Sequence, residues 1–314
     1  NMFDFLDSDY IFIDVPSGAK TFVFTALSAN AELEAIAVDS SEIEAIEPDW
    51  VHSEAWLGGV YEASVDNLRQ LRSVSGATVQ RGNGTTATST EWTYEDDGTP
   101  KNTPVGTLNY TYKDFMNLAM RRGKGFQLID YEMSKLMAIL WYSLNGTRDA
   151  QLMCGYGKGA GGTTGYTDAL GNADSDRTII GSNGGNKILG FESFMACTWE
   201  VMDNVAVNVP SFAQYKKDRC VENNEYPLDA VWHIYDPIAK TERTVQGLST
   251  NSGYCIGRVR HGRYCDIIAS KTTTDNSVWA SNYCDANYYT HSRGRVVGRA
   301  NSYADANGGL AYAY

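Results

Sequence analysis

Histidine is scarce in this chain: His52, His233, His261 and His291 are all it has. A hydrolytic triad needs a base that is oriented by a carboxylate and touches a nucleophile, and none of the four sits in such a pattern. Neither GxSxG nor HExxH occurs. The six cysteines, Cys154, Cys197, Cys220, Cys255, Cys265 and Cys284, show no CxxC spacing and no histidine at ligand spacing. A zinc site is therefore not expected. Reduced, partly buried thiols are expected instead, with a Cys255–Cys265 pair across a hairpin as the conceivable exception. Long apolar runs are also missing. Nothing approaches the roughly eighteen residues that a membrane span needs, and the acidic start Asn1-Met2-Phe3-Asp4 has no basic n-region of a signal peptide.

Positive charge is in short supply as well. Lys and Arg number 26 against 38 Asp and Glu, a net charge of −12. Phosphate binding needs a basic face, so nucleic acid is excluded as the expected partner. The imbalance is uneven: residues 1–60 hold twelve acids and one base, Lys20. Residues 281–314 are close to neutral, with Asp285 and Asp305 against Arg293, Arg295 and Arg299. Relief from dense charge suits a surface that meets a partner, because buried charge is costly to desolvate.

What is present reads as α+β. Tyr10–Val15 and Thr21–Thr25 are predicted strands of a small β-rich N-terminal module over residues 1–50. Residues 31–46 fit a helix or a strand, and Pro48 ends them. A second domain, 51–314, opens with Trp56–Ala63 and Leu71–Gly76, and residues 81–104 read as a polar loop or hairpin. Two helices follow. Thr111 caps the first, which carries Phe115, Leu118 and Ala119 on one face and stops at Gly123. The second starts near Asp130, carries a Met133, Leu136, Met137, Leu140 stripe expected to face the core, and ends at Gly146. Beyond it, Gly155-Tyr156-Gly157-Lys158-Gly159 lacks phosphate-loop spacing and reads as a surface loop. Asp174 and Asp176 read as turn formers in a Gly/Asn/Ser loop, with calcium binding the less favoured reading. Short strands then dominate: Val205–Val209, Val231–Tyr235, and a hairpin of Cys255–Arg260 with Arg263–Ile268 turning at His261-Gly262.

The last stretch differs in composition. Six of the chain's twenty tyrosines fall in residues 281–314, mixed with Asn, Ser, Ala and Gly. Tyr supplies contact area with few rotors and the small polar residues supply adaptable hydrogen bonding, as in paratopes. Composition alone leaves a polar loop with incidental tyrosines equally open.

The run Gly294-Arg295-Val296-Val297 with Gly308-Gly309-Leu310-Ala311-Tyr312-Ala313 resembles the variable region of proteins diversified by retroelements, which carry a C-type-lectin-like fold related to that of formylglycine-generating enzymes. Gly59–Ala63, Leu71–Gly76, Arg122–Phe126, Gly146–Gln151 and Gly190–Phe194 match the same family in order, so the resemblance covers roughly residues 55–314. It implies a C-type-lectin-like domain with two helices and short antiparallel strands. It also implies a hypervariable receptor-binding protein at a phage tail-fibre tip or on a bacterial surface, meeting a host-cell surface protein or a glycan. By analogy with tail fibres the assembly would be a homotrimer. Ligand contacts would come from Tyr283, Asp285, Asn287, Tyr288, Tyr289, Thr290, His291, Ser292, Asn301, Tyr303, Asp305 and Asn307, in stretches 281–292 and 299–307, with Arg295, Val296, Val297 and Leu310 as scaffold. Family members continue past the position of Tyr312 to a closing strand, and this sequence stops at Tyr314. No enzyme activity, metal or cofactor is expected. A formylglycine-generating-type oxidase and a structural tail protein without ligand are the alternatives.

Overall fold

The computed structural model describes residues 57–80, 93, 95–96, 100–101, 110–147, 150–155, 162–175, 186–195, 200–217, 225–236, 239–246, 248–259, 266–273, 286–287, 295–299 and 310. The expected N-terminal module at 1–50 and its boundary lie outside these residues.

The chain is mixed α+β. Strands β1 (Ser64–Val65) and β2 (Leu71–Arg72) pair antiparallel. Helix α1 (Tyr112–Met120) starts at Thr111 with a reciprocal capping box: Thr111 Oγ1 accepts from the Asp114 N–H, and Asp114 takes the Thr111 N–H at 2.8 Å. Its C-terminal arginines fasten it to the first hairpin, where Arg122 Nη1 donates to the Leu71 carbonyl at 2.8 Å.

Helix α2 (Tyr131–Asn145) begins at the Asp130 cap and stops at Gly146, whose φ of 63° is the left-handed conformation that glycine adopts without strain. The face it buries is not the expected one. Met133 and Leu136 are half-buried and Leu140 is 44% exposed. The buried stripe is Tyr131, Ser134, Lys135, Ala138, Trp141 and Tyr142, with Met137 shared. Its three aromatic rings remove more apolar area from water than the Met/Leu set, so they take the inward side.

Helix α3 (Ala150–Cys154) ends in a buried thiol, Cys154. Strands β3 (Lys187–Ile188) and β4 (Phe191–Glu192) form a tight hairpin. After it come β5 (Glu200–Val207), the short helix α4 (Phe212–Lys217), β6 (Trp232–Asp236), β7 (Thr241–Val245), β8 (Gly253–Val259), β9 (Ile267–Thr273), β10 (Ala286–Asn287) and β11 (Arg295–Arg299).

One four-stranded antiparallel sheet has the order β11-β5-β6-β7, and a three-stranded one the order β10-β8-β9. Strands β8 and β9 pair antiparallel as expected, from Tyr254 opposite Thr273 to Val259 opposite Ile267, and the expected turn at His261-Gly262 lies outside the described residues. This register sets Cys255 opposite Thr272, and Cys265 lies outside the described residues. Trp141, Ile188, Met195, Ile267 and Leu310 share one buried cluster, so the C-terminal Leu310 packs in the same core as α2.

Candidate functional site

The Tyr/Asn/Ser-rich stretches are held at identifiable points. Asn287 lies on β10, opposite Gly253 on the edge of the three-stranded sheet. Tyr283, Asp285, Tyr288, Tyr289, Thr290, His291, Ser292, Asn301, Tyr303, Asp305 and Asn307 lie outside the described residues. Between the two stretches, β11 forms the edge of the four-stranded sheet, pairing Arg295 with Val207 and Arg299 with Glu200. Past the second stretch, Leu310 is 7% exposed. The sequence thus alternates polar, tyrosine-bearing segments with fastened ones, and the fastenings fall on two different sheets and the core.

Arg299, the first residue of the expected 299–307 stretch, is buried and not a surface group. It is 4% exposed, with Nη1 donating to the Phe194 carbonyl at 2.7 Å, Nη2 on Glu200, and its guanidinium 3.8 Å from the Phe194 ring centroid. Desolvation lowers its proton affinity, and the Glu200 carboxylate opposes that. Arg299 is therefore a buried fastening, and the second candidate stretch begins at residue 300.

A second cluster of buried charge lies under β9. Arg243 on β7 grips Asp266 bidentately at 2.7 and 2.8 Å and reaches Glu132 on α2 at 2.9 Å. Lys135 contacts Glu132 and stands 3.7 Å from Asp266, with its side chain fully buried. Two cations and two anions therefore join α2, the four-stranded sheet and the sheet that carries β10. The cluster is not legible in the sequence because Arg243 lies 111 residues from Glu132.

Two other polar contacts among the described residues brace the fold. His233 is 8% exposed and its Nδ1 lies 2.7 Å from Glu242 Oε1, the geometry of a base with its orienting carboxylate. The other Glu242 oxygen accepts the Phe212 N–H at 2.8 Å, so the pair braces β6 and β7 against α4. Asp174 Oδ1 accepts the Leu189 N–H at 2.6 Å and stabilises a turn in which Leu189 has φ of 49°, in keeping with a turn-forming role; Asp176 lies outside the described residues. Among the described residues no group of three or more His, Cys, Asp or Glu side chains is placed to hold a metal. No helix among them is long and apolar enough to cross a membrane. No protein-family model matches the chain, and no curated protein matches it in sequence.

Proposed function

We propose that the chain is a non-enzymatic receptor-binding protein with a C-type-lectin-like domain. Its residues 281–292 and 300–307 form a variable ligand surface diversified by a retroelement, at a phage tail-fibre tip or on a bacterial surface. The observation that carries this reading is the alternation just described. Tyr/Asn/Ser/Gly-rich segments that suit adaptable contact are interrupted by residues invested in pairing or burial: β10, β11, Arg299 and Leu310. Substitution within such segments leaves the fastenings untouched, which is what a diversified surface requires. The partner is a host-cell surface protein or a glycan, and the assembly a homotrimer.

The test is binding to a glycan array and to displayed host surface proteins, followed by the triple substitution Tyr283→Ala, Tyr288→Ala and Tyr303→Ala. Loss of roughly a hundredfold or more in affinity is expected, since buried tyrosines dominate such interfaces, with an unchanged melting temperature. A large drop in melting temperature would place these residues in the core instead. Retained binding would favour a structural protein whose tyrosines do not meet a ligand. The genetic half of the reading has its own check: a nearby DNA copy of this stretch differing only at adenines, beside a reverse transcriptase gene.

A further inference from the structure

The ladder between β5 and β11 contains a jump. Val296 faces Ala206, yet Gly298 faces Val201, so Val297 alone spans Met202, Asp203, Asn204 and Val205. The extra residues are not idle. The Asp203 N–H donates to the Ile129 carbonyl at 2.9 Å, and Asp203 Oδ2 accepts the Leu128 N–H at 3.1 Å. Asn204 Oδ1 accepts the Tyr131 N–H at 2.8 Å, satisfying one of the open donors at the start of α2, and its amide donates to the Tyr235 carbonyl at 2.9 Å. The Tyr112 hydroxyl on α1 bonds the Asp203 carbonyl at 2.6 Å. The β5 bulge is thus formed by docking Asp203 and Asn204 onto residues 128–131.

A second carboxylate sits in that docking segment. Asp130 caps α2, accepting the Met133 N–H at 2.7 Å and the Gln127 amide at 2.9 Å. The groups facing the pair are Glu132 on α2, Lys216 on α4, Asp236 on β6 and the Tyr112 hydroxyl on α1. We propose that the Asp203–Asp130 junction is a pH-sensitive latch that sets how firmly β11 is held against β5. With Asp203 neutral the bulge stays docked. With both carboxylates ionised, repulsion and the pull of water on Asp203 loosen it, and β11 with it.

Burial pushes the Asp203 carboxyl up to about 6, Lys216 and the Leu128 N–H oppose that, and the charge on Asp130 adds to it. Burial also raises Asp130. The sign follows. A folded value above the unfolded one favours the protonated form, so the Asp203 contribution is full below its unfolded value and is lost as pH rises through about 6.

The experiment is hydrogen exchange by mass spectrometry on the full chain at pH 5.5 and 7.5, corrected for intrinsic exchange chemistry, reading peptides over 128–131 and 295–299. Opening is expected to be roughly fourfold more frequent at the higher pH. Asp203→Asn keeps an oxygen for the Leu128 N–H and should abolish the difference. Equal exchange at the two pH values, or a difference that survives Asp203→Asn, overturns the latch. Should that variant not fold, Lys216→Gln decides. Lys216 is exposed, and losing its charge should move the midpoint to higher pH; an unmoved midpoint overturns the proposal. None of these readouts depends on whether residues 281–307 bind a ligand.

Discussion

Two arginines fasten strands of the larger sheets, and they do so in different surroundings. Arg299 on β11 bonds one carboxylate and one carbonyl and lies on one aromatic face, with Glu62 adding a favourable charge without a bond. Arg243 under β9 has two carboxylates, one of them gripped bidentately, with Lys135 sharing the load. Burial lowers the proton affinity of both guanidinium groups. At Arg299 burial wins; at Arg243 the bonds to Asp266 and Glu132 outweigh it and the affinity ends above its usual range. The contrast shows that what decides a buried cation's comfort is the number of carboxylates it bonds, since desolvation alone is adverse in either place. It also ranks the fastenings. The one nearest the proposed second stretch is the less compensated, and among the described residues its carboxylate pairs with no second cation.

That ranking is open to direct attack. Arg299→Met should be the most damaging change, costing about 3–5 kcal/mol in urea unfolding, because it leaves Glu200 partly buried beside an apolar side chain. The double variant with Glu200→Met should regain most of this, and a double variant as unstable as the single one would mean that Arg299 acts through packing on Phe194 and not through charge. Arg243→Met should cost less, about 2 kcal/mol, because Lys135 stays beside both carboxylates and Arg243 retains 18% side-chain exposure. If Arg243→Met proved the worse of the two, the carboxylate-count argument would be reversed. Lys135→Met sharpens the comparison from the other side. Arg243 still reaches both carboxylates in that variant, and a long apolar side chain fills the buried space, so the loss should stay near 1 kcal/mol.

These partnerships also mark where sequence reading stops. Helix ends were legible because capping is local: Thr111, Asp130 and Gly146 stand where the structure uses them. The β8–β9 hairpin was legible as two strands, but its irregularity between Cys255 and Gly257 was not. The unusual composition of residues 281–314 was visible, and so was a strand at Gly294–Val297. The burial of Arg299 was not, because its partner Glu200 lies 99 residues away. Arg243 and Glu132 are 111 residues apart. Charged pairs of that separation leave no local periodicity to read.

The outward side of α2 supplies the smallest expected effect and a control for both hubs. From Leu136 to Asn145 the helix has no charged residue, so hydrophobic periodicity offers two candidate faces and cannot choose between them. The structure turns Trp141 and Tyr142 inward, both under 5% exposed, and leaves Leu144 at 73% exposed on the other side. Leu144→Gln keeps helix propensity nearly constant and removes an apolar group from a place where it buries little. Its effect on urea unfolding should fall within about 0.5 kcal/mol, the range of ordinary surface substitutions. A loss well above 1 kcal/mol would mean that this face is covered in the folded protein and that the inward stripe through Lys135 is not the sole buried side of α2. The Arg243 hub would then share its helix with a second packed surface, and the difference between the two arginines could no longer be assigned to carboxylates alone.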